Sequence, residues 1–249
     1  MGDSTRWLHR YPCAERKPLR LYCFSHAGGG ATSFHSWSGV LPRPIQVCPV
    51  LLPGRETRTA EAPFTRIDEL LDAVSRELTP ELDSPYAVFG HSMGALIAFE
   101  WIRRVQNQNR PLPAWLFLSG RSAPQAQPDL PPIHGLPDNE FLAELMVRYE
   151  GVSQQLLQDP ELIAFYLPIL RADLSLVESY RFEPGEQLDC PIAAFAGIGD
   201  PSVNWNRMFA WKAHTTRRFT IQFFPGGHFY PQAPLLQSIS AALSEAANL

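Results

Sequence analysis

The chain has 249 residues, 45% hydrophobic and 18% charged, with a formal net charge of −4. That length supports one large α/β domain with a substantial core, and the absence of a basic excess argues against nucleic acid or an anionic membrane as partner. No apolar run is long enough to span a bilayer, Met1–Lys17 has no signal-peptide core, and Cys13, Cys23, Cys48 and Cys190 lack C-x-x-C spacing, so free thiols in a reducing, cytoplasmic compartment are expected.

Trp7, Leu8 and Tyr11 are expected to pack an irregular lead-in onto the domain. Leu19–Phe24 reads as a strand running into Ser25-His26-Ala27-Gly28-Gly29-Gly30. A glycine loop there could cradle a phosphate, but G-x-G-x-x-G and a Walker lysine are both absent. A loop whose backbone N–H groups line a site fits better, with Ala27 N–H as a candidate oxyanion donor and His26 at the rim. A plain flexible turn is the alternative. Thr32–Leu41 reads as a short helix and Ile45–Leu52 as a strand, followed by the charged loop Pro53–Arg58. Ile67, Leu70, Leu71, Val74 and Leu78 recur at helical spacing.

The apolar run Tyr86–Phe89 then enters Gly90-His91-Ser92-Met93-Gly94, a G-x-S-x-G followed by an apolar helix to about Gln108. Strand, tight turn and helix are the context this motif needs. The glycines allow close approach where a Cβ would collide, and the helix N-terminus aims Met93 N–H at a developing oxyanion. Ala114–Gly120 is another buried strand, and strands alternating with helices imply a mostly parallel sheet covered on both faces.

From Arg121 to about Leu188 the alternation breaks. Helices are predicted from Pro137 and from Asp159, the second with a kink at Pro168. An all-helical insertion of this kind is where lids sit, so residues 1–120 and 189–249 are expected to form the core and 121–188 a mobile helical lid. Phe141, Met146, Phe165 and Ile169 are its candidates to line an apolar channel to the site, and Arg148, Arg171 and Arg181 its candidates to meet an acidic partner. The sheet resumes with Pro191–Gly197, which ends in Ile198-Gly199-Asp200-Pro201. A helix near Asn206–Lys212 and the strand Phe219–Phe224 follow, and that strand ends in Pro225-Gly226-Gly227-His228. A helix through Leu235, Ile239 and Leu243 closes the chain.

Ser92, Asp200 and His228 each follow the C-terminal end of a predicted parallel strand, and those ends share one sheet edge. A serine hydroxyl needs a base to take its proton, and the base needs a carboxylate to fix its tautomer. The order Ser, Asp, His is that of α/β-hydrolases. Asp173 and Asp189 are competing acids, set aside because one lies within a lid helix and the other precedes its strand. The remaining histidines show no H-E-x-x-H spacing, so neither a metal nor a cofactor is implied.

Phe24-Ser25-His26-Ala27-Gly28-Gly29, Leu52-Pro53-Gly54-Arg55-Glu56, Gly90-His91-Ser92-Met93-Gly94-Ala95, Leu167–Asp173, Gly199-Asp200-Pro201 and Gly226-Gly227-His228-Phe229 together resemble the type II thioesterases that accompany polyketide synthases and nonribosomal peptide synthetases. The resemblance covers about residues 19–245. It implies an α/β-hydrolase fold, a triad at Ser92, Asp200 and His228, and oxyanion donors at Ala27 and Met93. It further implies an enzyme that clears acyl groups from the phosphopantetheine arms of acyl- or peptidyl-carrier proteins; a monomer is expected. Ser25-His26 departs from the residues often found before Ala-Gly-Gly, which leaves the side-chain role of that loop open. Hydrolysis of acyl-CoA or small esters, and a catalytically inactive scaffold, are the competing readings.

Overall fold

A computed structural model of the chain describes residues 6–13, 15, 18–42, 44–126, 130–149 and 159–247. Six strands form one sheet: β1 (Leu19–Phe24), β2 (Ile45–Pro49), β3 (Tyr86–His91), β4 (Leu116–Ser119), β5 (Ile192–Gly197) and β6 (Phe219–Phe224). They lie in the order β2-β1-β3-β4-β5-β6, and every pairing is parallel. The registers Cys23↔Phe89, Gly90↔Leu118 and Phe117↔Ala193 bring the C-terminal ends of the central strands to one edge.

The central strands β3, β4 and β5 are near-continuous apolar runs buried on both faces, as parallel sheets require, while the edge strand β6 is mostly half-buried. Alternate residues serve opposite layers. Tyr22, Phe24, Val88, Leu116 and Leu118 pack with α2 (Ile67–Leu78) and α3 (Met93–Asn107). Leu21, Cys23, Phe89, Phe117 and Phe195 pack on the other side with Phe34, with Trp37 of α1 (Trp37–Val40), and with Leu235, Ile239 and Leu243 of the closing helix. In α2 the predicted apolar stripe is buried, while Asp68, Glu69 and Arg76 face outward. In α3 nearly every residue from Met93 to Ile102 is buried, so the helix that carries the serine turn sits deep in the core. Cys23, Cys48 and Cys190 are buried free thiols and Cys13 is a partly exposed one.

Two elements differ from the sequence reading. The helix expected over Thr32–Leu41 is a 3-10 turn (Ala31–Phe34) followed by the single turn α1, and Val40 is 61% exposed. So short a segment cannot repay helix nucleation; aromatic packing sets it instead, with Phe34 and Trp37 rings edge-on at 5.1 Å and Trp37 and Phe89 at 4.7 Å. The strand expected through Leu52 leaves the parallel ladder at Pro49, and Val50 bridges antiparallel to Leu8. Amide bonds from His9 to Pro49 O, Tyr11 to Val47 O and Leu51 to Trp7 O lay the lead-in along this edge, covering groups that would otherwise be open to pairing.

Between β4 and β5 the described residues contain α4 (Asp138–Tyr149) and α5 (Pro160–Ser179), and no strand. Asp159 caps α5 by accepting from Glu161 N and Leu162 N at 2.9 and 3.2 Å, and the helix runs on through Pro168. Ile133, Phe141, Leu145 and Leu174 form a small apolar cluster of their own, against which Leu167, Leu170 and Ala27 pack. The last helices are α6 (Trp205–Phe209), continued as a 3-10 turn to His214, and α7 (Gln232–Ala247). Among the described residues no helix is long and apolar enough to cross a membrane.

Candidate active site

Ser92 stands between β3 and α3 with φ 55° and ψ −113°. A non-glycine residue in that region costs about 1–3 kcal/mol and persists only where its surroundings enforce it. Here the Ser92 amide is tied to Ser119 O at 2.7 Å. A Cβ at Gly90 would run into the Gly94 carbonyl, and one at Gly94 into the Phe24 carbonyl. The motif glycines are therefore demanded by backbone passing backbone, as the sequence suggested.

The loops after β5 and β6 are stitched together by Ile198 N to Phe224 O (2.8 Å) and Gly199 N to Gly226 O (2.9 Å). This brings Asp200 and His228 together, both almost fully buried, with His228 Nδ1 at 2.7 Å from Asp200 Oδ2. A carboxylate only accepts, so Nδ1 carries the proton and Nε2 is the basic nitrogen. Burial by itself raises the Asp200 pKa, but the bond and charge of His228, with two donors from Ser202, outweigh it and hold the carboxyl below its ordinary value. Ser202 N and Oγ reach Asp200 Oδ1 at 2.9 and 2.6 Å. Sequence reasoning missed Ser202, although an Asp followed two residues on by Ser is the signal of an Asx turn.

Ser92 and His228 line one small cavity, together with His26, Ala27, Met93, Arg121, Leu145, Leu170, Leu174, Val177 and Phe229. Ala27 and Met93 thus reach the same space as the serine. Gly29 N bonds back to His26 O at 3.0 Å and closes the glycine loop into a turn. Among the described residues, no acceptor takes the amide of Ala27 or of Met93.

The apolar wall of the cavity is not the expected one, and Phe141, Met146, Phe165 and Ile169 are absent from it. Phe141 and Ile169 are buried, Phe141 in the cluster with Leu145 and Leu174, and Met146 and Phe165 are 42% and 46% exposed. Leu170, Leu174 and Val177 face the cavity instead, at spacings of four and three residues on α5. Apolar residues surround much of α5, so periodicity identifies the helix but does not select its inward face. The lid arginines are engaged locally as well. Arg171 donates to His134 O and Asp138 at 2.6 Å each, with its guanidinium 4.4 Å over the Phe141 ring. Arg148 bonds Glu144 and Pro131 O, and Arg181 the carbonyls of Glu178 and Tyr180. Of the competing acids, Asp189 pairs with Arg217 at 2.6 Å, and Asp173 is buried against Arg55.

His91 packs against His228 with ring centroids 5.0 Å apart. Its Nδ1 meets Ser119 Oγ at 2.7 Å, and Ser119 Oγ in turn shares a hydrogen bond with Tyr230 OH, so the loop carrying His228 is tied to β4. Burial, then the neighbouring His228 and His26, push His91 well below its ordinary value. A histidine depressed in the fold stabilises it above the unfolded value of about 6.5, and that contribution is lost as pH falls. The melting temperature is therefore expected to fall from pH 7 to pH 5, and to fall less in His91→Gln, by thermal unfolding across that range. An equal fall in both proteins would remove His91 as a source.

The thioesterase domain family model matches residues 19–243. The gramicidin S biosynthesis protein GrsT of Aneurinibacillus migulanus is 42% identical over 92% of this chain and 90% of its own length. Thioesterase PikA5 of Streptomyces venezuelae is 38% identical over 92% of this chain and 81% of its own. Among solved structures, the type II thioesterase BorB from the borrelidin biosynthetic cluster superposes with a TM-score of 0.86 at 38% identity, covering 97% of both chains.

Proposed function

The chain belongs to the thioesterase family, and from that premise we propose that Ser92, His228 and Asp200 perform its reaction, with Ala27 and Met93 as oxyanion donors. It is a serine thioester hydrolase of the type II class, releasing acyl groups from the phosphopantetheine arms of carrier proteins in an editing role. The single observation behind the residue assignment is the buried His228–Asp200 bond opening onto the cavity that holds Ser92.

The chemistry follows from those positions. Nε2 of His228 takes the proton as Ser92 Oγ attacks the thioester carbonyl, and Asp200 stabilises the imidazolium formed. The new oxyanion lies between Ala27 N–H and Met93 N–H, where one well-placed donor is worth about 10²–10³ in rate. Collapse breaks the C–S bond, and the imidazolium proton goes to the departing thiolate. Water activated by His228 then releases the acid and frees Ser92. Leu145, Leu170, Leu174 and Val177 give the acyl group an apolar wall.

We further read residues 121–188 as a lid, on the support of the helical segment and its separate apolar cluster beside Ala27, and the protein as a cytoplasmic monomer that docks its carrier beside that lid. The net charge of −4 offers no long-range attraction to an acidic carrier, so docking is short-ranged. One acyl group presented on a carrier protein, on coenzyme A and on a truncated pantetheine tests this. The expected order of kcat/KM places the carrier first. Equal efficiency on the truncated mimic would replace this reading with hydrolysis of free small thioesters.

A further inference from the structure

Arg55 and Asp173 form a buried ion pair that the triad does not use. Their side chains are 5% and 2% exposed, with Arg55 Nη2 at 2.8 Å from Asp173 Oδ1 and Nη1 at 3.0 Å from Oδ2. Arg55 comes from the loop after β2 and Asp173 from the middle of α5. In the sequence Arg55 is one of several charges in the loop Pro53–Arg58 and Asp173 lies two residues from Arg171, with nothing in either local pattern to say that they meet. Buried pairs of this kind are seldom worth more to stability than an apolar replacement, so the groups they hold are the informative part.

Both members grip the glycine loop. Asp173 Oδ2 accepts from Gly28 N at 2.7 Å, and Arg55 Nη1 donates to Gly29 O at 2.9 Å. His26 Nδ1 lies 2.9 Å from Ala27 O. The Ala27–Gly28 peptide is thus held at its N–H by Asp173 and at its C=O by His26. Gly28 has φ +76°, and a Cβ there would press on Leu170 of α5. Only glycine lets the loop turn this tightly beneath the helix. The neighbouring His26–Ala27 peptide, which carries the Ala27 N–H, is held at its C=O by Gly29 N at 3.0 Å, so anchoring Gly28 and Gly29 constrains the direction of that N–H through both peptide planes.

We propose that Asp173, neutralised and oriented by Arg55, is a positioning residue for oxyanion stabilisation: it reaches from α5 to clamp the glycine loop so that Ala27 N–H points into the Ser92 cavity. The proposal rests on the reading of Ala27 as an oxyanion donor. It also gives Arg55 a purpose, since an unpaired carboxylate beside Gly28 would oppose the negative charge forming on the substrate oxygen. Because the clamp comes from α5, displacing that helix would loosen the oxyanion site, so seating of the helix and assembly of the site become one event.

The test compares two inhibitors carrying the same acyl chain on pantetheine. A trifluoromethyl ketone forms a tetrahedral oxyanion with the serine, and a thioether forms none. Asp173→Asn is expected to lower kcat by about 10–10²-fold, somewhat less than outright removal of a donor. KM should change by less than about threefold, ketone affinity should fall in step with kcat, and thioether affinity should hold. Arg55→Lys keeps both charges buried but loses the two-pronged grip; it should show the same pattern more mildly, and it carries the test if Asp173→Asn does not fold. Unchanged kcat and ketone affinity in a folded variant would overturn the proposal, as would equal loss for both inhibitors, which marks a merely structural pair. A wild-type protein that binds the ketone no better than the thioether would instead overturn the underlying assignment of the oxyanion site, and this proposal with it.

Discussion

Replacing Ser92 with alanine is expected to lower thioester turnover by about 10⁴–10⁶-fold and to abolish labelling by a fluorophosphonate, since loss of the nucleophile removes the whole covalent route. The fold should survive. The strained backbone at φ 55° is enforced by the Ser119 bond and by the close passage at Gly90 and Gly94, none of which involves the hydroxyl. Circular dichroism and a melting temperature near that of the wild type would verify this. Stoichiometric labelling of Ser92→Ala would move the nucleophile elsewhere.

Asp200→Asn is expected to cost about 10⁴ in kcat, the loss seen when a triad acid becomes an amide. An asparagine here would be held by Ser202 donating to its carbonyl oxygen, which turns its NH₂ toward His228 Nδ1. That nitrogen must then accept, the proton moves to Nε2, and Ser92 loses its base. The carboxyl of Asp200 is held below its ordinary value, so it stays ionised through the neutral range and its contribution is lost only as pH falls into the acid range below about 4. Steady-state kinetics on a carrier-linked thioester measures the effect. Near-normal kcat would contradict the assignment, because Asp173 is engaged by Arg55 and Asp189 by Arg217 at the surface.

The strands, and the meeting of Ser92, Asp200 and His228 at one sheet edge, were legible in the sequence for a physical reason. Apolar runs such as Tyr86–Phe89 and Ile192–Gly197 have few other places to go than a sheet buried on both faces, and Ser92 and Asp200 follow those two runs, while His228 follows the half-buried edge strand Phe219–Phe224. The presence of Met93 and Ala27 at the cavity was legible because a helix start and a glycine turn expose N–H groups whatever the side chain. Contacts between segments distant in sequence were not legible. Asp173 meets Arg55 across 118 positions and Gly28 across 145, and no local pattern encodes either distance. The inward face of α5 was hidden for another reason: Phe165, Ile169 and Leu170 are all apolar, and only packing against Ala27 and Leu145 singles out Leu170 and Leu174. The N-terminal lead-in lacks any strand periodicity, so its seat along β2 could be read only as a tendency of Trp7, Leu8 and Tyr11 to bury.

The central claim is that an acyl group passes through Ser92, and rapid acid quench followed by peptide mass analysis tests it most directly. An acyl-loaded carrier protein is mixed with the enzyme and quenched before steady state. The expected result is the mass of the acyl group on the peptide containing Ser92, decaying at the rate at which free acid appears. The acyl mass on any other residue, or free acid released at the full rate by Ser92→Ala, would contradict it.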